Sequence, residues 1–89
     1  MPVGKLASYR LVFAEEVADF VFELPKGRQR KVLGLARQLL DNHSVRSDYE
    51  VPDDAGRPLS HLLIEDYLFV YWLDHAAKEL RIVDMEDVS

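Results

Sequence analysis

Three apolar runs close the chain, Leu59–Ile64, Tyr67–Leu73 and Leu80–Met85, and only short polar breaks separate them. Breaks of that length leave room for an antiparallel meander and little else. Glu65-Asp66 closes the first hairpin, and Asp74–Glu79 makes a longer connection to the last strand. The middle run is apolar at both strand parities, with Tyr67, Phe69, Tyr71 and Leu73 on one face and Leu68, Val70 and Trp72 on the other. One layer of helices covers one face of a sheet. The pattern therefore predicts a small sheet whose second face meets a partner, a second copy or another segment.

Ahead of the meander the periodicity changes. Ser8–Ala14 alternates, with Tyr9, Leu11 and Phe13 against Arg10, Val12 and Ala14, and reads as a first strand. Val17, Phe20, Val21 and Leu24 then form a helical stripe, and Glu15, Glu16 and Asp19 sit in the opening turn, where the helix dipole favours negative charge. Pro25 and Gly27 are expected to end that helix, and a second runs from about Arg28 to Asp41 with Val32, Leu35, Ala36, Leu39 and Leu40 inward. The two make a helical hairpin. Residues from Asn42 to Pro58 are rich in turn formers; Tyr49-Glu50-Val51 is a short strand that Pro52 confines to an edge, and Asp53-Asp54-Ala55-Gly56 is a turn. The expected core is Phe13, Val17, Phe20, Val21, Leu24, Val32, Ala36, Leu39, Leu40, Leu62, Ile64, Val70 and Ile82.

These elements fit one domain of the α+β class, and 89 residues bury roughly 60–65% of the surface of the unfolded chain, a thin margin of stability. The chain has no cysteine, which excludes disulfides, thiolate metal sites and a cysteine nucleophile and suits a reducing cytoplasm. No signal-peptide core is visible at the N-terminus, and no apolar run approaches the roughly 18 residues that a membrane span needs. The expectation is a soluble cytoplasmic protein with no membrane partner, no cofactor and no metal. Asp84, Glu86 and Asp87 cluster, but they alternate across a strand end and form no ligand set.

The net charge of −5 conceals an asymmetry: residues 1–42 carry seven Lys/Arg and five Asp/Glu, and residues 43–89 carry four and eleven. Lys26, Arg28, Arg30, Lys31 and Arg37 fall in a stretch free of acids, either a phosphate-facing patch or a solvated helix face. In the acidic half, His61 is the strongest single candidate for chemistry, since an imidazole exchanges protons near neutrality; a lone strand histidine is otherwise a surface or interface residue. Arg57 and Arg81 are candidates to hold phosphate, with ion pairing to nearby acids as the simpler reading. Tyr67, Tyr71 and Trp72 offer stacking surfaces for bases, against core or protein-interface packing. His43 and His75 fall in loops and carry little signal.

The order strand, helix, helix, meander resembles the RelE/ParE superfamily, the toxin halves of bacterial toxin–antitoxin pairs. The likeness covers nearly the whole chain. It rests on Glu65-Asp66-Tyr67-Leu68-Phe69-Val70-Tyr71, similar to the family's Gly-Asp-Tyr-Arg pattern followed by apolar residues and a Tyr, on Asp74 and an apolar last strand, on the Leu39-Leu40-Asp41-Asn42 end of the hairpin, and on Gly56-Arg57-Pro58 at the entry to the meander. The resemblance implies a two-layer β-α-α-β(3-4) fold, a mostly antiparallel sheet on a helical hairpin with the first strand beside the last. It also implies a cognate antitoxin and a target that is either ribosome-bound messenger RNA or DNA gyrase, and some relatives are inactive; without the antitoxin, strand Tyr67–Leu73, apolar on both faces, is expected to self-associate through exposed aromatics. Metal-independent RNA cleavage needs a base, an acid and cations on the phosphate. On the family pattern His61 stands where a basic residue is frequent and Tyr71 on the tyrosine that closes the strand motif. Leu68 replaces the arginine, and the later arginine and tyrosine would fall at or beyond Ser89. The expectations are thus a toxin-type protein with weak or absent ribonuclease activity or, as the alternative, a non-catalytic interaction module of the same fold.

Overall fold

The computed structural model describes residues 9–41 and 49–88. The elements are β1 (Arg10–Phe13), α1 (Glu15–Glu23), α2 (Lys26–Asp41), β2 (Tyr49–Pro52), β3 (Pro58–Ile64), β4 (Tyr67–Asp74) and β5 (Glu79–Asp87). They form one five-stranded sheet in the order β1-β5-β4-β3-β2. β1 runs parallel to β5, and all other neighbours are antiparallel. The α+β class, the helical hairpin, the terminal meander and the first strand beside the last are as expected. Ser8, the expected start of β1, lies outside the described residues.

The helix boundaries differ from expectation. Gly27 does not end α1; it lies in the first turn of α2, which begins at Lys26. The corner is tighter because the Pro25 carbonyl accepts from the Gln29 N–H at 2.8 Å and so opens the second helix at once, while proline has no N–H to leave unpaired there. Gln29 also donates its side-chain amide to the Val21 carbonyl at 3.2 Å, fixing one helix to the other across the corner.

Both helices bury their predicted stripes against a single face of the sheet. Val17, Val21, Val32, Leu35, Ala36, Leu39 and Leu40 meet Leu62, Tyr67, Phe69, Tyr71, Leu80, Ile82 and Met85, with Phe13, Phe20, Leu24 and Ile64 packed at the margin. Two sequence expectations are corrected. Val70 is buried at 7% exposure, but it pairs with His61 and Asp84 on the face away from the helices and lies outside the helix-side core. Tyr67 and Tyr71 belong to that core, so neither is a free stacking surface for bases. The alternation of β4 allowed either parity, and the helices took the side with the larger aromatic area, which removes more apolar surface from water.

A β-bulge explains the last strand. Val70 pairs with Asp84 but Tyr71 with Ile82, leaving Val83 as an extra residue on β5. The inserted residue shifts the parity, so Leu80, Ile82 and Met85 all reach the core despite their uneven spacing. Two non-glycine residues take left-handed backbone, Glu65 (φ 54) in the β3–β4 turn and Lys78 (φ 54) in the β4–β5 turn. At Glu65 the Lys31 ammonium sits 2.7 Å from the carboxylate, and this hydrogen bond, with the attraction of the two charges, holds Lys31 above its usual range. The Lys78 side chain has no such partner among the described residues, and Lys78→Gly is expected to stabilise the fold by about 1 kcal/mol. A thermal melt that rises by a few degrees supports this, and an unchanged or lower one contradicts it.

Candidate functional site

Sheet register sorts the chemistry-bearing residues by face, since paired residues project to the same side. Tyr49 pairs with His61, His61 with Val70 and Val70 with Asp84; Val51 pairs with Leu59; Leu63 pairs with Leu68 and Leu68 with Glu86; Trp72 pairs with Arg81 and Arg81 with Val12. All of these lie opposite the helices. Among the described residues no element covers them, and Leu63 is 50% exposed with Tyr49 and Val51 similarly open. The open face is apolar in its middle. It has basic residues toward one end and Asp84 and Glu86 toward the other.

His61 stacks on Tyr49 with ring centroids 4.4 Å apart and planes at 17°. Its Nδ1 lies 3.1 Å from the Leu59 carbonyl oxygen. A carbonyl only accepts, so Nδ1 carries the proton and Nε2 of the neutral ring presents its lone pair. Nε2 makes no hydrogen bond with a described residue. Tyr49, which the sequence placed on the edge strand without a role, is what holds the ring; the 12-residue separation across a turn hid that contact.

Arg57 is positioned by its own turn. Asp53 Oδ1 accepts from the backbone N–H groups of Ala55 (2.9 Å) and Arg57 (2.8 Å), while Oδ2 takes the Arg57 Nε–H at 2.7 Å. Gly56 supplies the left-handed residue this turn requires (φ 81). The guanidinium then lies 4.7 Å from the centroid of the Trp72 ring, a cation–π contact. The Arg57 backbone N–H is the main reason that the Asp53 carboxyl is held below its usual range; the Arg57 guanidinium and the Ala55 N–H add to it, against an opposing effect of burial. A lowered folded pKa gives stability that is complete above the unfolded value and is lost as pH falls through the folded one. The difference in melting temperature between the parent and Asp53→Ala is thus expected to be largest at neutral pH and to shrink below about pH 4. A difference that stays constant from pH 7 to 2 contradicts it.

Arg81 shares an acid with a second arginine. Glu79, 9% exposed, takes Arg81 Nη1 on Oε1 at 2.8 Å and Arg10 Nη2 on Oε2 at 2.7 Å. Arg57, Trp72, Glu50, Ser60 and His75 line a shallow groove of about 380 Å³, so a carboxylate shares that groove with the Arg57 guanidinium. Three of the expected site residues, Arg57, His61 and Arg81, share the open face. Tyr71 lies on the other side, 8% exposed in the helix-facing core. Leu68 makes the place of the family's arginine apolar, beside Leu63 and Glu86.

The basic stretch on α2 divides in two. Arg28 reaches Asp87 at 3.3 Å and Lys31 reaches Glu65, tying the helix to one end of the sheet. Lys26, Arg30 and Arg37 are exposed and make no ion pair with the described residues. No helix among the described residues is long and apolar enough to cross a membrane.

The sequence matches no protein-family model and no curated protein sequence. Among solved structures the chain is similar to one in the crystal structure of the archaeal RelE–RelB complex from Pyrococcus horikoshii OT3, with 19% identity and a TM-score of 0.66 over 91% of this chain and 96% of that one. Two helices on one face of a mostly antiparallel five-stranded sheet, superposing over nearly the full length of both chains, give this protein a RelE-like fold.

Proposed function

We propose that the chain is a toxin-type protein of the RelE/ParE kind that a cognate antitoxin covers across its open sheet face, and that it inhibits growth without efficient RNA cleavage. The observation that carries the reading is the open face itself: Tyr49, Val51, Leu63, Leu68 and Trp72 lie together on a sheet whose other face already holds the core. An apolar surface of that extent, rimmed by charge, is the anatomy of a protein interface. The structurally similar chain comes from a complex with RelB, which supports an antitoxin as the partner here.

The same face argues against strong nuclease chemistry. His61 is the candidate base, yet on this face Arg57 is held by Asp53, and Arg81 and Arg10 share the one Glu79 carboxylate. Stabilising the extra negative charge of a transition state requires free, preorganised donors, and losing one typically costs about 3 kcal/mol of barrier. This leaves gyrase or another non-nucleolytic target as the site of action. The alternative, a non-catalytic interaction module, predicts partner binding with no growth effect. The partner claim is tested by co-expressing the tagged chain with the products of the reading frames that flank its gene. Co-purification that is lost in Leu63→Glu supports it; no association, or association indifferent to Leu63→Glu, contradicts it.

A further inference from the structure

The outer surface of the helical hairpin carries a charge pattern that folding does not use. On α1 every exposed charged residue is an acid: Glu15, Glu16, Asp19 and Glu23. None of them makes an ion pair with a described residue. On α2 the unpaired exposed charges before Asp41 are the bases Lys26, Arg30 and Arg37. Both helices are charged against their dipoles at the corner, with Glu23 in the last turn of α1 and Lys26 and Arg28 opening α2, whose first turn has no acid. Such placement costs helix stability. Asp87 compensates Arg28, but Glu23 and Lys26 have no compensating ion pair among the described residues, and uncompensated charge of that kind is expected where a surface serves a partner.

Two apolar residues stand on this same surface. Phe22 is 76% exposed, the largest value among the exposed large apolar side chains, and Leu33 is 41% exposed. Leu33 follows Gln29 by one helical turn and therefore lies on the flank of α2 that Gln29 turns toward α1. The hairpin thus has one acidic helix, one basic helix and exposed apolar side chains, and such a surface is its own complement. A two-fold axis running along the hairpin sets α1 of one copy on α2 of the other, antiparallel, and does so twice. That is the requirement of an isologous interface.

We propose that this chain forms a homodimer through its helical hairpins, in a four-helix arrangement held by α1–α2 charge pairing around Phe22 and Leu33. The open sheet face remains free on both copies, so the dimer is compatible with a partner there and independent of it. A hairpin of this length offers an interface at the small end of the specific range, about 1,000 Å² in total, which suits a micromolar, salt-sensitive dimer.

Sedimentation equilibrium of the full chain with two charge-reversed variants tests this. Arg30→Glu/Arg37→Glu reverses two of the three unpaired bases of α2, and Glu15→Lys/Asp19→Lys reverses two of the four acids of α1. The parent is expected to dimerise at low salt and dissociate at high salt. Each variant alone is expected to be at least about tenfold weaker, and an equimolar mixture of the two is expected to restore a heterodimer. Phe22→Ala, an exposed position that leaves the core intact, should also weaken the parent dimer. Circular dichroism establishes that each variant is folded before it is scored. A parent that stays monomeric at low salt overturns the proposal. So does a dimer that persists in both single variants, a mixture that does not reassociate, or a dimer lost in Leu63→Glu but kept in the helix variants.

Discussion

Phe69→Ala is expected to lower the melting temperature by more than about 10 °C. Phe69 is fully buried and meets residues from both helices and from β3 and β5 in one cluster. Truncating such a ring costs about 3–5 kcal/mol, since the cavity cannot collapse around a strand held on both sides. A domain of this size has roughly 4–13 kcal/mol in total. Val70, its neighbour in β4, is a contrast within the same strand: it is buried among side chains of the open face, and Val70→Ala removes only two methyl groups there. That change is expected to cost about 1–2 kcal/mol. Thermal or urea melts of the two variants test the assignment of faces. Equal losses, or a larger loss for Val70→Ala, would show that the helices cover the other side of β4.

Trp72→Ala is the second large effect, and it falls on binding. The indole is half-buried on the open face between the Arg57 guanidinium and the register partner Arg81. An aromatic in that position is the natural anchor of an interface, and truncating one costs about 2 kcal/mol or more, some 30-fold or greater in affinity for the proposed antitoxin. Its fold should survive, because the helix-side core is untouched. Calorimetric titration of the folded variant that shows parent-like affinity would remove Trp72, and with it the centre of the open face, from the partner site.

The sequence made the frame of this fold legible because two physical periods were clean. The stripe from Val17 to Leu24 and the one from Val32 to Leu40 left only one face for each helix, and turn chemistry separated the last three strands. The face of β4 was not legible, since Tyr67, Phe69 and Tyr71 compete with Leu68, Val70 and Trp72 on equal terms until helices are placed. Nor was the bulge at Val83, whose only trace is the uneven spacing of Leu80, Ile82 and Met85. At the site, Arg57, His61 and Arg81 were named from residue type and resemblance, and the structure sets them on one face. Their restraints were hidden. The turn Asp53-Asp54-Ala55-Gly56 announced itself, but that Asp53 also clamps Arg57 depends on the turn's geometry, and Glu79 between Arg10 and Arg81 depends on β1 lying parallel to β5. Tyr71 illustrates the reverse case, a residue prominent in the motif that packing places in the core.

Those restraints bear directly on the central claim, that this RelE-like protein inhibits growth while cleaving RNA poorly at best. Induction of the parent and of His61→Ala in a bacterial host, with growth followed and messenger RNA ends mapped, separates the outcomes. Growth arrest by both proteins is expected, with no ribosome-dependent cuts above background in either. Abundant cuts in the parent that vanish in His61→Ala, or a parent with no effect on growth, would contradict it.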